Sequence, residues 1–421
     1  MSEKIKEKLN FQKILQNPVI FIKWLLISVF MGIFAGAAGV LFYYAIHFAN
    51  DFRYEHPWLI YLLPAGGLVI AFLYHICKMD NDKGTDAVIS AARGEKNLSV
   101  LVAPLIFIAS TITHLLGGSA GKEGAALQIG GSIASGFAKI FRLNENDKKT
   151  IILCGMSAVF AAIFGTPVTA AVFAMEIISV GVIQISAIVP CTISAIIGAK
   201  FAVVCSVAPT SFEFSGIPEF TVASIFKVII ISVLCALLSV IFCSAIHKTH
   251  YLYEKLLPNH YLRIAVGGVI IVILTLIVGS QDYNGAGMSV VENAFTGNSG
   301  YEAFILKIIF TALTLGAGYR GGEIVPVFFT GATFGNVAGR ILNLSPSFSA
   351  GIGLVSLFCG VSNCPLTSVI MSVELFGSEG IVYFLVSCAL SYVLSGNYSL
   401  YHDKRFLFSE LYADSFDKKA I

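Results

Sequence analysis

Lys122 and Glu123 stand in a stretch with almost no other charge. The run Thr113–Gly136, THLLGGSAGKEGAALQIGGSIASG, is otherwise small or apolar, and six glycines fall within fifteen positions after Leu116. Glycine lets the backbone turn sharply and lets its N–H groups approach a ligand closely. A helix beginning at Glu123 points its free N–H groups and positive dipole end back at that turn. Such a start, bordered by Lys122 and Gly124, is an anion site built from backbone. A carboxylate beside it repels the anion while ionised and donates a hydrogen bond once protonated. It can therefore compete with the anion, leave, and carry a proton.

The same chemistry occurs twice. KGTDAVISAARG (83–94), GGSAGKEGAALQIGGSIASGFAKIF (117–141) and GTPVTAAVFAMEI (165–177) are followed, in the same order, by AGMSVVENAFTG (286–297), GAGYRGGEIVPVFFTGATFGNVAGRIL (316–342) and NCPLTSVIMSVEL (363–375). Gly84 precedes Glu123 by 39 residues and Gly287 precedes Glu323 by 36, while Glu176 and Glu374 each follow a proline by nine. Gly- and Pro-interrupted apolar segments at corresponding places in two halves point to a transporter with repeats and a midplane site. Glu323 is the second-half carboxylate, with Arg320 as a structural partner to weigh against a pore role. Ile324 and Val325 follow it as the second helix start. KGTD, with Gly84 and Thr85, and GTP, with Pro167, read as two more helix starts. Four N-termini converging on one point would strip water from an anion without a fixed cation that holds it too tightly. Glu176 and Glu374 read as groups that tie down helix ends or the seam between halves. Tyr401, in SGNYSLYHDKR, could donate its phenol to an anion or sit as an interfacial belt residue.

The elements that must position these groups are membrane helices. Of 421 residues, 56% are hydrophobic and 12% charged, with mean hydropathy +0.82; soluble domains carry about 25% charged residues. Apolar runs at 20–50, 57–77, 100–117, 150–195, 222–247, 262–279, 302–318 and 347–395 approach or exceed the ~20 residues of a spanning helix. Lys4, Lys6, Lys8, Lys13 and Lys23 at one end, and Lys404, Arg405, Lys418 and Lys419 at the other, place both termini in the cytoplasm. The chain then reads as a cytoplasmic segment (1–19), a first transmembrane repeat (20–206), a linker (207–222), a second repeat (223–405) and a cytoplasmic tail (406–421). A net charge of +2 suggests no nucleic acid partner. The nine cysteines are scattered without a CxxC pair, so neither a metal site nor a cofactor is expected.

These residues resemble the CLC family of chloride channels and chloride/proton antiporters. GKEGA resembles its gating-glutamate motif, GGEIVP the second-half counterpart, and NCPLTSVIMSVELFG and SGNYSLY its late motifs. The resemblance runs in order through about residues 20–405. It implies an all-α membrane fold of two inverted repeats with broken half-helices, about seventeen or eighteen helices of uneven length in all. It also implies a homodimer with a pore in each subunit, embedded in lipid at the cell membrane, and here no appended CBS domain. Chloride members carry an apolar residue where Glu323 stands. Gly84 falls at the chloride-coordinating serine, with Thr85 beside it, and Ala125 replaces the proline after the gating motif. Ile177 falls where the family has its internal proton glutamate. GKEG together with Glu323 is similar to the fluoride/proton antiporter branch. That implies Glu123 as gate and proton carrier, a pore-lining Glu323, and Tyr401 as coordinating tyrosine. Fluoride and protons are then the substrates, with a chloride/proton exchanger or chloride channel as the alternative.

Other classes fit less well. GGSAG (117–121) matches the G-x-S-x-G elbow of a hydrolase, with His114 and His75 as bases, but that motif needs a strand-to-helix turn and a third residue. Lys122 is followed by Glu and preceded by Leu116 where a phosphate-binding loop needs Ser/Thr and Gly. The roles of Lys83 and Asp86 are left open by sequence.

Overall fold

Helix breakers in the apolar runs set the architecture. The computed structural model describes residues 11–297, 299–408 and 415–419, with side chains from 18 to 407 apart from 298. Much of the N-terminal segment and part of the tail therefore lie outside the described residues, including Lys4, Lys6 and Lys8. Among the described residues there are sixteen α-helices, against the seventeen or eighteen that the resemblance implies, and they fall into two sets of eight. The first set is α1 (Phe11–Glu55), α2 (Leu63–Ile76), α3 (Thr85–Arg93), α4 (Val102–Leu115), α5 (Glu123–Ile140), α6 (Glu145–Phe164), α7 (Pro167–Glu176) and α8 (Ile188–Val204). The second is α9 (Val222–Leu256), α10 (His260–Val278), α11 (Met288–Thr296), α12 (Ala303–Gly316), α13 (Ile324–Ile341), α14 (Pro346–Ser362), α15 (Pro365–Phe376) and α16 (Ile381–Ser395). The sets match member by member. α3 and α11 have nine residues each, α4 and α12 fourteen, α5 and α13 eighteen.

Five helical segments are long and apolar enough to cross a membrane, and six shorter apolar helices accompany them, among the described residues. The run 150–195 breaks where Gly165 adopts φ +80° and Pro167 follows. The run 347–395 breaks in the same way at Asn363 (φ +49°) and Pro365. A left-handed residue ends each helix and the proline cannot continue it.

Packing repeats as well. α5 crosses α6 with Gly130 against Gly155, and α13 crosses α14 with Gly331 against Gly353; a Cβ on Gly331 would lie 2.6 Å from the Gly353 carbonyl oxygen. Only glycine lets these backbones approach so closely.

The two halves also cap each other. The Glu374 carboxylate, at the end of α15, accepts from the N–H groups of Val168 (3.0 Å) and Thr169 (2.7 Å) at the start of α7. Glu176, at the end of α7, accepts from Leu366 (3.1 Å) and Thr367 (2.8 Å) at the start of α15, and from the Thr367 hydroxyl. Each acid thus satisfies donors that its own helix could not reach. This corrects one expectation from the sequence: the GTP start at Pro167 does not offer free N–H groups to an anion.

Three short strands complete the chain. β1 (Ser179–Val180) pairs in parallel with β2 (Arg405–Phe408), which pairs antiparallel with β3 (Ser415–Lys419). β2 fixes the segment that carries Tyr401. Lys404 is buried beside it, with its ammonium on the Ser362 and Asn363 carbonyls (2.5 and 3.3 Å) at the end of α14. A cation there suits the helix C-terminus.

Candidate functional site

The two glycine-rich helix starts meet. Gly121 N–H donates to the Gly322 carbonyl (2.7 Å) and Gly322 N–H donates to the Gly121 carbonyl (2.6 Å), a one-rung antiparallel bridge between the halves. α5 and α13 begin on either side of it. In α5 the helical ladder starts with Ala126 N–H on the Lys122 carbonyl, so Glu123, Gly124 and Ala125 keep N–H groups outside it. Ala125 supplies a donor that a proline could not. In α13 the ladder starts with Val327 N–H on the Glu323 carbonyl, and Pro326 has no N–H, so Ile324 and Val325 are the free donors. In α3 it starts with Ala87 N–H on the Gly84 carbonyl, leaving Thr85 and Asp86. Three open N-termini remain of the four that the sequence suggests.

Glu123 is buried, and its side chain folds back onto the turn before its own helix. Its Oε2 accepts from Lys122 N–H at 3.1 Å and lies 3.0 Å from the point where Gly121 would carry a Cβ. Glu323 approaches from the other half. Its Oε2 lies 2.9 Å from the point where Gly124 would carry a Cβ, and the Thr85 hydroxyl lies 3.5 Å from the same point. That oxygen is shut off from solvent and has no hydrogen-bond partner among the described residues. The Arg320 partnership weighed from sequence is not formed. Arg320 instead donates to the Asp82 carbonyl oxygen (3.3 Å), lies 3.8 Å from the Asp82 carboxylate, and covers the Tyr74 ring.

Tyr401 is buried rather than set in an interfacial belt, and its hydroxyl has no hydrogen-bond partner among the described residues. The Glu323 and Asp86 carboxyls lie within electrostatic reach of it. Asp86 accepts from Asp403 N–H (3.1 Å), and Asp403 accepts from Ser90 (3.0 Å) and lies 3.7 Å from the Lys83 ammonium. Lys83 and Asp86 therefore stand beside the segment that holds Tyr401.

Lys122 goes elsewhere. Its ammonium lies 4.5 Å from the centre of the Tyr43 ring. Lys122, Glu123 and Val325 line a cavity of about 480 Å³ with Arg53, Gly287 and Glu292; Thr85 and Tyr401 are not among its walls. Gln128 was not singled out from sequence. It is buried, donates from Nε2 to the Thr85 hydroxyl oxygen (3.2 Å), and its Oε1 has no hydrogen-bond partner among the described residues. A lone amide in AALQIGG gives no signal by itself, since its partner lies 43 residues away.

The hydrolase elbow does not assemble. Ser119 hydrogen-bonds Thr311 (3.0 Å) and takes Thr314 on its N–H (3.1 Å), both from α12. His114 Nδ1 is held by the Ser110 carbonyl of its own helix (2.8 Å), and His75 sits exposed beside Asp80.

The arrangement gives backbone donors from two halves, one carboxyl folded into them, and nearby a second carboxyl oxygen and a phenol without hydrogen-bond partners among the described residues. The family model for voltage gated chloride channels matches residues 65–396. The "Chloride/fluoride channel protein" of Pseudomonas syringae pv. tomato is 32% identical over 390 residues, which is 91% of this chain and 86% of that one. An "H(+)/Cl(-) exchange transporter ClcA" of Vibrio cholerae is 25% identical, covering 88% of this chain and 85% of its own. Among solved structures, a crystal structure of a CLC-type fluoride/proton antiporter is similar with TM-score 0.88 and 27% identity, over 91% of this chain and 98% of that one. A slow cyanobacterial Cl-/H+ antiporter shares the fold with TM-score 0.74 at 20% identity, over 88% of this chain and 94% of that one.

Proposed function

The chain belongs to the voltage gated chloride channel family, a family of transport proteins and not enzymes, and from that premise we propose that it exports fluoride in exchange for protons. The observation that carries this reading is the Glu323 carboxyl, whose Oε2 has no hydrogen-bond partner among the described residues and lies toward Gly124 and Thr85 beside the gate. Fluoride is small, hard and strongly hydrated, so dehydrating it takes short, strong donors. A protonated carboxyl is such a donor. An ionised one at the same place repels any anion, so the site favours the anion that gains most from the protonated donor, and a large, soft anion gains little from it.

Glu123 is the gate and proton carrier. Ionised, it occupies the donor-rich turn through Lys122 N–H and keeps an anion out. Protonated, it loses its advantage there and swings away as a donor, and the anion takes the N–H groups at the starts of α5 and α13. Release of the proton on the other side lets the carboxylate return. The anion's partners are the backbone N–H groups of Gly124, Ile324 and Val325, together with Glu323, Thr85 and Tyr401; Gly84 leaves room beside Thr85. Lys122 acts through its N–H and as a cation in the vestibule. The protein works as a homodimer in the cell membrane with both termini cytoplasmic.

The test is flux from liposomes holding the purified chain, read with a fluoride electrode and a pH electrode together. A fluoride gradient should drive protons uphill in the opposite direction, with chloride carried at least tenfold more slowly. Chloride turnover comparable with fluoride would sink the fluoride assignment and favour a chloride/proton exchanger.

A further inference from the structure

The transport reading leaves one buried polar side chain unused. Gln128 lies on α5, five residues after Glu123, and points to α3. Its amide covers Gly84: a Cβ on that glycine would lie 3.5 Å from Nε2 and 3.8 Å from Oε1. Gly84 itself has φ +59° and ψ −129°, a conformation that side-chain-bearing residues avoid. A Cβ there would meet the amide at ordinary contact distance, so it is the positive φ that calls for glycine.

Hydrogen-bond direction follows from which end of the amide faces Thr85. Gln128 Nε2 can only donate, and it donates to the Thr85 hydroxyl oxygen at 3.2 Å. The hydroxyl keeps its own hydrogen free. That hydroxyl borders the space beside Gly124 that Glu323 Oε2 borders from the other half. Were the amide reversed, Thr85 would donate to the amide oxygen and present only lone pairs to an anion.

We propose that Gln128 is a positioning residue for anion selection: its amide holds the Thr85 hydroxyl as a donor aimed into the space between Gly124 and Glu323. This rests on the transport reading above. A hard, small anion gains most from such an O–H group, so the amide tunes affinity for it without touching it.

The experiment uses the full chain, with sodium fluoride and sodium chloride titrated by calorimetry in detergent and exchange followed in liposomes. Gln128→Leu should weaken fluoride binding about tenfold or more, the size of a lost hydrogen bond to a charged partner. Thr85→Val should do the same, and Thr85→Ser should retain binding. In the Thr85→Val background, Gln128→Leu should change nothing further. Gln128→Met keeps the size of the side chain and removes the amide donor, so it should weaken fluoride binding as Gln128→Leu does. A mere packing role predicts instead that the Leu and Val effects multiply and that Gln128→Met binds normally; either result overturns the proposal. Should Gln128→Leu fail to fold, Gln128→Met alone decides between the two. Failure of the wild type to exchange fluoride for protons would sink the transport reading, and is read in the same vesicles independently of these variants.

Discussion

Glu123 and Glu323 differ in what holds them. Glu123 is anchored by the N–H groups of its own turn, and Glu323 has an oxygen with no hydrogen-bond partner among the described residues. Replacing each should therefore break a different property. Glu123→Gln removes the exchangeable proton and keeps the shape, so fluoride-driven proton movement in liposomes should vanish. Persistence of that movement would make the gate assignment wrong. Glu323→Ile keeps a helix start with its N–H groups and deletes the second acid, so selectivity should shift toward chloride by at least tenfold in relative flux. Tyr401→Phe separates binding from stability. The phenol is buried without a partner, so removing it should change stability by less than about 1 kcal/mol. A lost donor to an anion is worth about 1.5–3 kcal/mol, so fluoride affinity should fall about tenfold or more; unchanged binding by calorimetry would demote Tyr401. The carboxylates were legible in the sequence because a charge in an apolar run has no inexpensive structural excuse. Gln128 was not, because an amide inside a helix looks ordinary until its partner on another helix is known.

Among the helices, the reciprocal caps of α7 and α15 set the seam between halves. Each carboxylate closes the other helix's N-terminus with two backbone bonds. Removing Glu176, which is buried, leaves at least two donors orphaned at about 1–3 kcal/mol each. Glu176→Ala should lower the melting temperature in detergent by several degrees while leaving the fluoride-to-chloride ratio unchanged. A changed ratio with normal stability would instead give Glu176 a place in the pathway. The nine-residue spacing from proline to acid was visible in both halves, and a role at helix ends was expected from it. Which helix each acid closes was not visible, because Glu374 reaches back 206 residues to Val168. The strands were equally hidden, since β1 has only two residues. Beside them Arg93 hydrogen-bonds Glu95 (2.9 Å) and Arg405 lies 2.9 Å from it, and these partners hold the Glu95 carboxyl below its usual range. A depressed carboxyl contributes stability above its unfolded value, about 4.3, and loses it as pH falls through the folded one. The hydrogen-exchange protection factors in β2, taken relative to the intrinsic rate at each pH, should fall below about pH 4 and stay constant between pH 5 and 8.

Across the whole molecule, the halves share too many bonds to stand alone. Besides the Gly121–Gly322 bridge and the two caps, Asn284 donates to the Gly117 carbonyl (2.8 Å), Gly285 N–H to the Gly118 carbonyl (3.1 Å), and Tyr319 to the Leu63 carbonyl (2.8 Å). Within a bilayer each group left without a partner costs several kcal/mol, so a separated half exposes a penalty that its own packing cannot offset. The segment after α8 leans on the second half: Ser215 and Glu213 bond Ser347, and Pro218 and Glu219 accept from Tyr383. A cut should therefore fall before it. Expressed separately, residues 1–206 and 207–421 should each give aggregated, protease-sensitive material, and expressed together they should recover fluoride/proton exchange. A half that is monodisperse and resists protease on its own would show that the shared seam is a consequence of each repeat's fold and not its condition.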